Sequence, residues 1–140
     1  MSLVLDASMA IASLFVEEQT DRVREVVRMV ASEGAVVPSI WRLEVANALS
    51  MAVRRGRCDE AHFAESLTRF ERLPIAADDQ TDRNAWGATL ELAREQRLTV
   101  YDAAYLELAI RLGLPLATGD RELIAAAQRL GVALLTPHEV

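Results

Sequence analysis

Four acidic residues stand where a carboxylate is either a structural cap or part of a site that binds a cation. Asp6 follows the apolar run Leu3-Val4-Leu5, and Asp120 follows Leu116-Ala117-Thr118-Gly119; each precedes a helical pattern, so each suits an N-cap. Asp102 lies three residues after Thr99, the spacing of a capping box. Glu44 is different: at about 100° per residue it falls in the arc of Ile40, Trp41, Ala48 and Met51. A charge on an apolar arc is costly to bury unless it is paired or bound to an ion, and pairing with an arginine is the structural alternative. Asn47, one turn on, borders that arc and is a candidate to orient Glu44. Gathered together, four carboxylates would repel one another and take up protons unless a cation joined them. Oxygen-only donors suit hard ions such as Mg²⁺ or Mn²⁺. The two histidines fit no zinc spacing, and His62 and His138 are both expected at the surface.

Such a gathering requires elements that bring distant positions to one edge. Short apolar runs at Leu3–Leu5, 35–37, 73–77, 114–117 and 132–135 read as buried strands. Helical patterns cover 7–15, 20–32, 38–55, 59–72, 78–96, 99–112 and 120–130, with Glu17-Glu18-Gln19 as a turn. Pro38 suits a helix start, and Gly56 and Gly113 suit helix ends. Strands alternating with helices predict an α/β fold with a mainly parallel sheet covered on both faces, and sites in such sheets form at the carboxyl ends of strands. Asp6 and Asp120 are both at strand ends. Along the 99–112 helix, Asp102 shares an arc with Tyr105, Leu106 and Ala109, while Glu107 and Arg111 are expected to form a solvent-facing pair.

Composition narrows the chemistry. The 140 residues, 51% of them hydrophobic, fit one domain over 1–140. No apolar run is long enough to span a membrane, and the opening Met-Ser-Leu-Val-Leu-Asp reads as a strand rather than a signal peptide. The single cysteine, Cys58, excludes an internal disulfide and a zinc–thiolate cluster and points to a reducing, cytoplasmic setting. All 15 basic residues are arginine, so a Walker A loop, a Schiff-base lysine and a kinase-type ATP site are excluded. The net charge of -6 opposes nucleic-acid binding at face value, unless divalent ions offset the acids. Arg54, Arg55 and Arg57 beside Gly56 are read as a solvated helix end or a contact for RNA or an acidic partner, and Trp41 and Trp86 as packing residues.

The strings Val-Leu-Asp6-Ala-Ser8, Pro38-Ser-Ile-Trp-Arg-Leu-Glu44-Val-Ala-Asn47, Tyr101-Asp102-Ala-Ala-Tyr105 and Ala-Thr118-Gly-Asp120 resemble the acidic motifs of PIN-domain nucleases. In order and spacing they are most similar to the VapC-type (virulence-associated protein C) toxins. The resemblance runs from Val4 to about Leu134. It implies a three-layer α/β/α PIN-like domain and a ribonuclease that uses Mg²⁺ or Mn²⁺ to hydrolyse RNA phosphodiester bonds. Carried over by position, Asp6, Glu44, Asp102 and Asp120 become catalytic and metal-binding residues. Ser8 and Thr118 match the accompanying hydroxyl positions and are candidates for contact with a carboxylate or with substrate.

The same resemblance implies a cognate VapB-type antitoxin, a homodimer, and DNA contacts made only through the antitoxin. Stand-alone RNA processing and a catalytically silent PIN scaffold are the alternatives within the fold. A phospho-receiver domain also gathers aspartates at strand ends, but it relies on a lysine that this chain lacks.

Overall fold

The computed structural model describes residues 2–139. Its five strands are β1 (Leu3–Leu5), β2 (Ala35–Val37), β3 (Ile75–Ala77), β4 (Leu116–Ala117) and β5 (Leu134–Leu135). They lie in the order β3-β2-β1-β4-β5, and every pairing is parallel. β1, β2 and β4 are wholly buried, as continuous apolar runs in a covered parallel sheet must be. Helices flank the sheet, giving the expected α/β/α architecture.

The helices are α1 (Ala7–Ala12), α2 (Asp21–Glu33), α3 (Trp41–Arg54), α4 (Glu60–Glu71), α5 (Thr81–Asn84), α6 (Ala88–Gln96), α7 (Val100–Leu112) and α8 (Arg121–Arg129). One group, α1, α3 and α4, packs together, while α7 lies against β1 and β4 and is flanked by α6 and α8. The core joins Leu3, Val4, Met9, Val23, Val30, Val37, Leu49, Leu106, Leu116 and Leu123 from β1, α1, α2, β2, α3, α7, β4 and α8. Among the described residues no helix is long and apolar enough to cross a membrane.

Three differences from the sequence reading have local causes. The helix expected over 7–15 ends at Ala12, because Ser13 turns back onto Ala10 O through both its amide and its hydroxyl. The helix expected over 38–55 begins at Trp41, whose N–H donates to Pro38 O in a preceding turn. The helix expected over 78–96 is two helices broken at Gly87 (φ -110°, ψ -110°). Asp78 is held out of it: its N–H extends the sheet to Val37 O at 2.7 Å, and its carboxylate accepts from the Thr81 hydroxyl. The break leaves Trp86 93% exposed, which corrects its reading as a packing residue. Trp41 does pack, edge-on against Phe70 at 5.6 Å between ring centroids.

A second correction concerns α7. The expected pair forms at 2.9 Å, but Glu107 is buried while Arg111 remains exposed and also reaches Asp78 at 2.7 Å, so Arg111 links α7 to the end of β3. Arg111 is held well above its ordinary value by these bonds, first Glu107 and then Asp78. His62 is likewise not a free surface residue: it is half-buried, its ring nitrogen Nε2 lies 3.1 Å from Leu14 O, and it packs against Phe15. His138 is exposed as expected. Arg54 and Arg55 are exposed, whereas Arg57 is bound to Glu17 and Glu18 with its guanidinium 3.8 Å above the Phe15 ring.

Candidate active site

Sheet order reverses direction at β1, whose neighbours are β2 on one side and β4 on the other. The crevice at such a switch point, at the carboxyl ends of the strands, is where open α/β sheets place ligands. Asp6 directly follows β1, and Thr118, Gly119 and Asp120 follow β4. The Asp6 N–H donates to Ala117 O at 2.9 Å, so the ladder between the two strands runs into the site itself.

Asp6 occupies the N-cap position of α1, yet its side chain makes no capping bond. Its backbone carbonyl accepts from the Met9 and Ala10 amides instead. The carboxylate, 5% exposed, turns inward and accepts at Oδ2 from Ser8 Oγ at 2.5 Å and from Thr118 Oγ1 at 2.7 Å. Each hydroxyl has one proton, so both protons are committed to Asp6, and the 3.3 Å approach of Ser8 Oγ to Thr118 Oγ1 is a contact only. The hydroxyl oxygens in turn accept from the Gly119 and Asp120 amides, both at 3.0 Å. One carboxylate oxygen is thereby fixed between the start of α1 and the loop after β4, and Oδ1 is left without a partner among the described residues.

Asp102 sits in the first turn of α7. Its N–H donates to the Thr99 hydroxyl at 3.1 Å, but no return bond from its carboxylate to the Thr99 amide is present among the described residues. The expected capping box is therefore half formed, and the Asp102 carboxylate keeps only the lowering influence of the Thr99 hydroxyl. Asp120 is a true N-cap: Oδ1 accepts from the Glu122 amide at 3.2 Å. That bond uses one oxygen and leaves the other. Glu44, half-buried in the first turn of α3, accepts at Oε1 from the hydroxyl of Tyr105. Asn47 is exposed and makes no bond to Glu44 among the described residues, so orientation of Glu44 falls to Tyr105 rather than Asn47. Tyr105 escaped the sequence reading. Its signal was its placement one turn after Asp102 on an apolar arc, where a buried hydroxyl needs a partner.

The four acids feel one another. Asp6 is held above the usual carboxylate range by burial, against the lowering effect of Ser8 and Thr118, with the charges of Glu44 and Asp120 raising it further. Glu44 is raised by burial and by Asp102, opposed by the Tyr105 bond. Asp102 is pushed up to about 6 by burial, then by the charges of Asp120 and Asp6. Tyr105 is held far above its ordinary value by burial and by its bond to Glu44. The fold thus collects negative charge from oxygen donors at one strand edge. Among the described residues, however, no three of these acids close on a common point as a finished ligand set. The donors fit a hard ion that keeps part of its water shell and reaches some carboxylates through water.

Comparison with known proteins agrees with this geometry. A family model described as the PIN domain matches residues 3–135. Ribonuclease VapC3 of Pyrobaculum aerophilum is 38% identical over 141 residues, spanning 98% of this chain and 100% of the relative. The structure of PAE2754 from Pyrobaculum aerophilum superposes with a TM-score of 0.66 at 27% identity, covering 96% of this chain and 91% of that one. A chain of VapBC2 from Rickettsia felis, solved bound to a DNA fragment from their promoter, shares the fold (TM-score 0.65, 16% identity, 97% and 98% covered). An all-parallel sheet with acids at its switch point, a family match over nearly the full length and a relative of equal extent lead to one conclusion: the chain belongs to the PIN domain family, among the VapC ribonucleases.

Proposed function

We propose that this protein is a metal-dependent endoribonuclease and the toxin of a toxin–antitoxin pair. The observation that carries the reading is geometric: Asp6 and Asp120 follow the paired strands β1 and β4 and are bridged by Thr118, while Tyr105, one turn after Asp102 on α7, bonds Glu44. Acids this close raise one another's proton affinity, and a divalent cation relieves the repulsion more completely than protons do. Asp6, Asp102 and Asp120, with Glu44 completing the set, would hold Mg²⁺ or Mn²⁺, directly or through water. Bound there, the ion supplies positive charge to the phosphodiester oxygens and makes nearby water more acidic.

The chain's own residues perform the remaining work. Ser8 and Thr118 fix Asp6 so that a single oxygen, Oδ1, faces the ligand. Glu44, held through Oε1, presents Oε2 to orient the attacking water and accept its proton. Asp120 and Asp102 bring their charge from the starts of α8 and α7. RNA as substrate is supported by membership among the VapC ribonucleases. An antitoxin that covers the site, with the DNA contacts on its side, is the partner this family membership supports, together with a homodimer.

The test is cleavage of a structured RNA panel with Mg²⁺ or Mn²⁺, chelator serving as control. Asp6→Asn is expected to reduce cleavage by about 100-fold or more, since it removes a charge that binds the ion, while the circular dichroism spectrum stays unchanged. Full cleavage by Asp6→Asn, or by wild type in chelator, would overturn the reading. Rescue of growth by co-expression of a neighbouring small reading frame tests the toxin role separately.

A further inference from the structure

We infer that Tyr105 is a positioning residue for the carboxylate site, acting through Glu44. The inference rests on the reading of Glu44 as a member of the ion-binding set. Tyr105 is fully buried on α7, one turn after Asp102, and its hydroxyl donates to Glu44 Oε1 across 61 residues of sequence. Asp102 and Tyr105 are three residues apart on one helix and so share a face. A single rigid element therefore supplies one acid and the hydroxyl that locates another, which fixes the spacing between Asp102 of α7 and Glu44 of α3.

The same hydroxyl lies beside the Ala7 amide and within the field of Asp6. It stands between the three segments that carry Asp6, Glu44 and Asp102. No other hydrogen bond holds the Glu44 carboxylate among the described residues, and Asn47 does not reach it. Without the hydroxyl, the glutamate regains rotation about three side-chain torsions, and its remaining oxygen is no longer aimed. A bond to an ionised group is worth enough that its loss corresponds to about a tenfold change in an equilibrium constant or more.

A merely structural hydrogen bond, in which Glu44 serves only to satisfy a buried phenol, makes a different prediction. Tyr105→Phe deletes one oxygen and keeps the ring packing. Mn²⁺ binding to the purified full chain, followed by electron paramagnetic resonance of the free ion, is measured for wild type, Tyr105→Phe, Glu44→Gln and the double variant. Positioning requires that Tyr105→Phe weaken Mn²⁺ binding about tenfold and that it add nothing in the Glu44→Gln background. Wild-type affinity in Tyr105→Phe, or an effect that persists in the double variant, would refute the inference while leaving the metal site intact. A wild type that binds no Mn²⁺ defeats the underlying reading as well.

A second measurement leaves Tyr105 unaltered. The chain has two tyrosines, so Tyr101→Phe makes Tyr105 the only contributor to the tyrosine difference absorbance. Titration with Mn²⁺ should perturb that band with the same half-saturation as ion binding. A tyrosine band that stays unchanged through saturation would also overturn the proposal.

Discussion

Buried carboxylates make the protonation state of individual residues visible in stability. Asp102 titrates near 6 in the folded chain against an ordinary value of 3.8. Between about pH 4 and 6 the folded state therefore holds more protons than the unfolded chain, and linkage makes stability fall as pH rises through that window. Asp6 and Glu44 are raised in the same direction and add to the slope. Asp78, lowered by Arg111 despite its burial, acts in the opposite sense, and its contribution is lost only below its ordinary value. Urea unfolding in chelator should show stability declining from about pH 4 to pH 6, with a visibly shallower decline in Asp102→Asn. A second residue-scale expectation concerns Thr118, which is fully buried and donates to Asp6. Thr118→Val keeps the shape and removes the donor, so it should cost about 1–3 kcal/mol of stability and weaken Mn²⁺ binding, both measurable on the same protein.

Helices and strands do the placing, and the connections among them are polar. Arg111 ties α7 to the end of β3 through Glu107 and Asp78, whose side chains are each only 8% exposed. Asp78 then accepts from Thr81, whose oxygen accepts from the Ser39 amide just before α3, the helix of Glu44. Removing Arg111 strands two nearly buried charges. Because the guanidinium is itself 26% exposed, Arg111→Ala should destabilise by about 2–3 kcal/mol, at the lower end for broken buried pairs. Chemical denaturation checks the value, and a loss below about 0.5 kcal/mol would mean solvent already screens the pair. The capping threonine of α7 offers a smaller effect: Thr99→Ala removes the acceptor for the Asp102 amide and should cost about 1 kcal/mol. The loop after β4 is constrained differently. A Cβ on Gly119 would lie 3.1 Å from Pro137 Cγ, so the C-terminal segment presses directly on the loop that carries Thr118 and Asp120.

The molecule as a whole stores repulsion at one edge of its sheet and is expected to gain stability when that repulsion is relieved. A ligand that binds only the folded state at a hundredfold excess over its Kd stabilises by about 2.7 kcal/mol, which for a domain of this size is roughly 8 °C in Tm. Thermal unfolding with Mn²⁺ or Mg²⁺ against chelator should show an upward shift of that order, and Asp6→Asn should abolish most of it. An identical Tm in both conditions would show that the acids do not gather an ion. The overall charge of -6 acts against a nucleic acid at long range, so on the proposed reading a cation at the site would also offset part of the repulsion that an approaching phosphate chain meets.

Much of this was legible in the linear chain because it depends on local periodicity and local chemistry. Apolar runs bounded by polar residues located all five strands, with β2 matching residue for residue. Thr99 and Asp120 cap the helices they precede, as their spacing predicts, and the structure adds Thr20 and Asp59 as caps at the expected helix starts. The order of the four acidic motifs carried the family. The positions that misled were those where distant groups compete with local preference. The late start of the helix follows from the sheet and Thr81 claiming Asp78, the break coincides with the non-helical backbone of Gly87, and Glu107 is buried beside an Arg111 that also reaches Asp78. Trp86 is exposed because that break turns it outward. The choice between cap and ligand for Asp6 could not be made from its neighbours, since a residue before a helix satisfies both. In the structure the Asp6 carboxylate makes no cap bond and is held by Thr118, 112 residues away, whose hydroxyl reaches Asp6 because β1 and β4 pair. Residue types and their spacing determined which side chains carry carboxylates beside strand and helix ends; the β1–β4 ladder and the bond between α7 and α3 determined that these acids share one edge of the sheet, because only tertiary packing converts separation along the chain into proximity in space.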